Sequence, residues 1–114
     1  MRIRLLALTS ALLIATGVQA AEKTTRFWNL TAKTVTSLRL APAGTDKFGT
    51  DLCANDKDGS VDHDERLKVP NLASGQYDAK IGYADGRICT VKNMAIETGK
   101  VFSIEDKDLT ACNK

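Results

Sequence analysis

Histidine, proline and aromatic side chains are scarce in this chain, and the scarcity narrows what it can do. Its 114 residues include one histidine (His63), two prolines (Pro42 and Pro70) and one tryptophan (Trp28). A single histidine excludes a histidine-rich transition-metal centre and leaves little material for a nucleophile–base pair. No Ser, Cys or Lys has an activating neighbour in sequence, so the chain is not expected to be an enzyme. Zinc is a poor fit, because the three cysteines form no C-x-x-C pair. Basic residues are nowhere interleaved with aromatics, so a nucleic-acid partner is not expected. There is no sustained helical periodicity, no internal repeat and no low-complexity tract.

The first twenty residues read as a secretory leader rather than as fold. Arg2 and Arg4 give a charged start, Leu5 to Val18 is mostly apolar, and Val18-Gln19-Ala20 is a small-residue cleavage site. The apolar run is too short and interrupted for a membrane span. The reading is therefore a signal peptide over 1–20, cut after Ala20, and a single domain over 21–114 in an exported, periplasmic protein. The leader contains the only two bases in excess of the acids. Without it the charges balance, although the whole chain has pI near 8.5.

What is present is a succession of short β patterns bounded by turns. Arg26–Leu30 and Thr34–Ala41 suit strands, the second rich in β-branched residues, with Val35 and Leu38 or Leu40 inward. Phe48 is expected to plug into the core. Arg66–Val69 alternates. Gln76–Tyr83 is the clearest strand, with Tyr77, Ala79, Ile81 and Tyr83 on one face and Asp78, Lys80 and Gly82 on the wet one. Ala84-Asp85-Gly86 turns the chain into Arg87–Ile96, and Glu97–Lys100 turns it into Val101–Ile104. The tail is expected to hold one helical turn near Asp108-Leu109. Trp28, Tyr77 and Tyr83 read as core or strand-face residues. The fold expected is all-β: a small antiparallel β-sandwich or open barrel, with an acidic loop inserted between strands.

That loop is the most informative stretch. Asn55 to Glu65 holds five acids against one lysine. Acids this close repel unless solvated or joined by something positive. With Gly59 at position 6 of a calcium-binding loop, Asp56 falls at position 3, Asp58 at 5, Ser60 at 7, Asp62 at 9 and Glu65 at 12. Asp64 is a reserve ligand and His63 a neighbour of the ligands. Position 1 is Ala54 rather than Asp, with Asn55 one place late. The loop lies between strands, not between the two helices of an EF-hand. The same residues also suit an ordinary solvated turn. A second acidic group, Glu105, Asp106 and Asp108, is expected to be a solvated chain end. Carboxylate and carbonyl oxygens suit hard cations, calcium first or a lanthanide, which has nearly the same radius and one more charge. A site with few side-chain ligands would be completed by water or by a second copy, giving a metal-bridged homodimer.

Export makes disulfides the first reading of Cys53, Cys89 and Cys112. Three pairings are open. Cys89 and Cys112 flank a hairpin closing near Thr98-Gly99, which favours Cys89–Cys112, whereas a bridge from Cys53 would anchor the acidic loop.

With its leader, size, β-rich pattern and the loop Asp56-Lys57-Asp58-Gly59-Ser60-Val61-Asp62-His63-Asp64-Glu65, the chain resembles the landiscernin-like small periplasmic lanthanide-binding proteins. The resemblance implies a selective binder or metallochaperone acting in lanthanide uptake, with a downstream uptake or metalloprotein partner and metal-driven dimerisation. It implies ligand roles for Asp56, Asp58, Asp62 and Glu65. Two other readings stand beside it: a calcium-stabilised structural domain, and a metal-free envelope interaction module.

Overall fold

The computed structural model describes residues 24–113; the expected leader and its cleavage site lie outside the described residues. Six strands follow in chain order: β1 Arg26–Leu30, β2 Val35–Pro42, β3 Arg66–Lys68, β4 Gly75–Tyr83, β5 Ile88–Ile96 and β6 Val101–Glu105. They form two three-stranded sheets, ordered β3-β1-β6 and β2-β4-β5. The all-β sandwich expected from the strand patterns is therefore present. Among the described residues the helical elements are two short 3-10 turns, Leu52–Asn55 and Asp106–Asp108. The second supplies the turn expected in the tail. One pairing departs from the antiparallel expectation: β1 and β6 run parallel. The first and last strands are brought together by the whole intervening chain, so no local turn signal announces the pairing.

Alternation explains which faces turn inward. In β1, Phe27 and Asn29 are buried, while Arg26, Trp28 and Leu30 lie on the outer face. In β6, Phe102 and Ile104 are buried. Phe27 and Phe102 pack with ring centroids 5.7 Å apart. The facing sheet contributes Leu38, Leu40, Ala79, Ile81, Cys89 and Val91 to the same core. Leu38 and Leu40 are both inward, and a register shift between Val35 and Ser37 lets Val35 join them. Phe48 is not in the core; it lies half-buried beneath the Lys80 ammonium, 4.6 Å from the ring centre.

Asp78 departs from the alternation in a second way. Expected on the wet face, it is 2% exposed. The β4–β5 register shifts between Tyr77 and Ala79, so Lys92 and Asn93 both oppose Asp78, and Asn93 takes a φ of 55°. The carboxylate accepts from the backbone N–H groups of Asn93 (2.8 Å) and Gly44 (3.0 Å), and Lys92 lies 3.7 Å away. Asp78 thus satisfies the amide that the bulge takes out of the ladder. These two N–H bonds, outweighing burial, hold its carboxyl below its ordinary pKa.

Cys89 and Cys112 form a disulfide, the pairing favoured by the hairpin, and Cys53 is free and buried. The bridge holds the tail along the edge of β5. Thr90 and Thr110 exchange backbone bonds at 2.9 and 2.7 Å, and the Asn113 N–H donates to the Ile88 carbonyl. The tail, held by the bridge, therefore covers the Ile88–Thr90 end of the sheet edge.

Burial, then the nearby Asp51 charge, pushes the Cys53 thiol up to about 12. Its neutral form is stabilising in full below the unfolded value of 9.0, and that contribution declines as pH rises toward 12. At pH 8 the folded thiolate is about a thousandfold rarer than the unfolded one. Labelling with a thiol reagent at pH 8 is expected to be slower in the native protein by roughly two orders of magnitude or more. Native labelling at the unfolded rate would contradict the buried, protonated placement.

Candidate functional site

The acidic loop is built by its attachments at both ends. On the entering side, Asp51 accepts from the backbone N–H groups of Leu38 (3.0 Å) and Cys53 (2.9 Å), starting the 3-10 turn and fastening it to the edge of β2. Asp51 is thereby removed from the solvated group of acids. The turn ends at Asp56, whose N–H donates to the Cys53 carbonyl and whose carboxylate accepts from the Asp58 N–H at 3.0 Å. Gly59 follows with φ 72° and donates to the Asp56 carbonyl. The left-handed turn falls where the calcium-loop pattern requires its glycine.

Val61 is then drawn into the core, forming a bridge with Val35 through bonds of 2.9 and 2.8 Å. Its carbonyl also accepts from the Asn29 amide at 2.9 Å. The Asn29 side chain further donates to the Lys33 carbonyl and accepts from the Thr31 N–H and hydroxyl. A wholly buried asparagine in β1 thus ties the loop, the β1–β2 turn and the first sheet together. Three residues after Val61 the chain reaches β1 again. Asp64 donates its N–H to Asn29, and Asn29 donates its own to Glu65. The loop's second half therefore crosses from the edge of one sheet to the other.

The carboxylates follow this path and point apart. Asp62 accepts from the Thr34 hydroxyl at 2.9 Å. Glu65 folds back to accept the Asp62 N–H at 2.8 Å. Asp64, at φ 73°, accepts from the Trp28 indole N–H at 3.0 Å. The Asp58 carboxylate is exposed and has no partner among the described residues. His63 meets the Thr31 carbonyl through Nδ1 at 2.8 Å. Glu105 and Asp108 cap each other's backbone in the last 3-10 turn, and Asp106 accepts from Ala32. That cluster is structural and does not join the loop.

The donor set is all oxygen and suits a hard cation. In the described conformation, however, no three acid, histidine or cysteine side chains come together to hold one among the described residues. Asp56, Asp58, Asp62, Asp64 and Glu65 share one surface loop, but four of the five already act in backbone or side-chain bonds.

No protein-family model matches the chain, and no curated protein or solved structure is significantly similar to it.

Sequence reasoning missed two residues that shape the site. Asn29 looks like any polar residue of a strand; its burial depends on Val61 arriving from 32 residues away. From sequence Trp28 is a core or strand-face residue, and nothing near it marks its bond to Asp64. Only the alternation of β1, which puts 28 on the opposite face from Phe27, carried a hint.

Proposed function

We propose that the protein is an exported, non-catalytic binding module whose loop Ala54–Glu65 takes up a hard cation, a lanthanide ahead of calcium. One observation carries the reading. The left-handed turn at Gly59 falls where a calcium-loop pattern requires its glycine, in a loop that carries Asp56, Asp58 and Asp62 and is anchored to both sheets. An exposed, negatively charged and partly open loop favours the higher charge of a trivalent ion on Coulomb grounds. Uptake requires the Asp62–Thr34 and Glu65–Asp62 bonds to be exchanged for metal–oxygen bonds, with Asp58 as the first contact. The ligand set is Asp56, Asp58, Asp62 and Glu65, with Asp64 in reserve. Water or a second copy completes the coordination, and the loaded form is a metal-bridged dimer. The resemblance to the landiscernin-like proteins supports the same reading and implies a periplasmic carrier that hands its ion to an uptake or metalloprotein partner.

Calorimetry with lanthanum and with calcium tests this, with size-exclusion in parallel. Tight lanthanum binding is expected to survive calcium excess, to weaken about tenfold or more in Asp58→Asn/Asp62→Asn, and to shift elution to a dimer. Equal lanthanum and calcium affinity would favour a calcium-stabilised structural domain.

A second reading, the metal-free interaction module, rests on the bonds that hold the loop in place without an ion. The absence of heat with either ion would favour it.

A further inference from the structure

The outer face of the first sheet gathers cations that the rest of the molecule does not neutralise. Register places Arg26 opposite Lys68 and Trp28 opposite Arg66 across the β1–β3 ladder. Phe27 and Leu67 are the inward pair between them, and both are buried. Backbone bonds from Val69 to Thr25 and from Asn29 to Glu65 set the phase of the ladder. By alternation, the Arg26–Lys68 and Trp28–Arg66 pairs are the non-hydrogen-bonded ones, whose side chains stand closest. Like charges directly opposite on neighbouring strands repel. The ion pairs among the described residues use Lys33, Lys92, Lys100 and Lys107. Arg26, Arg66 and Lys68 have no acidic partner there.

Apolar groups stand among these cations. The Arg66 guanidinium lies 4.1 Å from the centre of the Trp28 ring. Across the other side of β1, Arg26 is opposite Val101, one of two large apolar side chains left exposed among the described residues, at 47%. Leu30 is half-buried on the same face. The acids at the Trp28 end keep their charge while bonded elsewhere, Asp64 to the indole, Glu65 to the Asp62 N–H and Glu105 in its cap opposite Leu30, so the uncompensated positive charge is that of Arg26 and Lys68. The acidic loop enters β3 at the Trp28 end, so Arg26 and Lys68 lie at the end away from it.

We propose that this face, formed by Arg26, Trp28, Arg66, Lys68 and Val101, docks the protein on an anionic lipid bilayer. Three unpaired cations match anionic headgroups. A half-buried tryptophan and an exposed valine suit the boundary between headgroups and acyl chains. The apolar members favour a bilayer over a soluble polyanion, which would engage the cations alone. The proposal does not depend on cation uptake by the loop.

The test uses the chain from Ala21 to Lys114, which holds all the described core residues, and vesicles of about one-third phosphatidylglycerol in phosphatidylcholine. Trp28 is the only tryptophan, so its emission reports on this face directly. Co-sedimentation and a blue shift of Trp28 emission are expected with the anionic vesicles. Arg26→Gln/Lys68→Gln is expected to weaken binding by roughly tenfold or more. Val101→Ser is expected to remove binding that persists at high salt. Melting curves on each variant confirm that it folds. Equal binding to pure phosphatidylcholine, equal binding by the charge variant, or binding to dextran sulfate but not to vesicles would overturn the proposal.

Discussion

Replacing Asn29 with alanine is expected to destabilise the protein by about 2–5 kcal/mol, because it removes the four hydrogen bonds of a buried side chain and leaves the buried Thr31 N–H unpaired. The Asn29 side chain is wholly buried and makes four bonds: to the carbonyls of Lys33 and Val61, and from the N–H and hydroxyl of Thr31. Alanine restores none of them. The Val61 carbonyl keeps its bond from Val35, but the amide that holds it from the other sheet is lost. Thr31 N–H has no other partner among the described residues. A domain of this size is stable by only about 5–15 kcal/mol, so the loss is a large share. Urea unfolding followed by Trp28 emission measures it. A loss below about 0.5 kcal/mol, the level of an ordinary surface change, would show that the network is not needed. The same substitution is also expected to loosen the loop Ala54–Glu65, since Val61 is its inner anchor.

Removing the disulfide is the second large effect. Cys89 and Cys112 are separated by 23 residues. Closing a loop of that length restricts the unfolded chain by about 3 kcal/mol in the chain-entropy account. Cys89→Ser/Cys112→Ser is therefore expected to melt roughly 15 °C lower than the parent, given about 4–8 °C per kcal/mol in small domains. A reductant is expected to lower the parent's melting temperature to that of the variant and to leave the variant unchanged. Cys53 does not substitute, because it is buried at the edge of β2 with its sulfur near the Val35 carbonyl. A variant melting within about 2 °C of the parent would contradict the account. The bridge also pins Thr110 and Asn113 to β5, so its loss is expected to uncover that edge.

The strands were legible because their signals are local. Arg26–Leu30 and Gln76–Tyr83 declare themselves by alternation and turn residues, and the hairpin from Tyr83 to Ile88 by Ala84-Asp85-Gly86. Three things were hidden, and all depend on distant partners. The parallel β1–β6 pairing joins the ends of the domain, so nothing near either strand encodes it. The burial of Asp78 rests on a bulge in β5, which supplies a free amide from Asn93, and on the turn after β2, which brings the Gly44 amide alongside. Phe48 carries the hydrophobicity of a core residue but lies in a connection that passes outside β2, under Lys80. In the acidic loop, spacing showed where the carboxylates and the glycine fall along the chain. It did not show which oxygens the fold uses for itself. Asp51, Asp62 and Glu65 each hold the loop's backbone or its neighbours, and Asp64 holds Trp28. Spacing treats these acids as equivalent, whereas the fold leaves Asp58 the least encumbered.

The proximity of Trp28 to Asp64, 3.0 Å from indole nitrogen to carboxylate oxygen, provides the most direct measurement of the central claim. Terbium, a lanthanide, emits when a neighbouring tryptophan is excited, and this chain has only the one tryptophan. Titration of terbium with excitation of Trp28 is expected to give sensitised emission that saturates and persists in calcium excess. The emission is expected to collapse in Asp58→Asn/Asp62→Asn while the melting temperature is retained. Absence of sensitised emission, or emission unchanged in that variant, would contradict a cation site in the loop Ala54–Glu65.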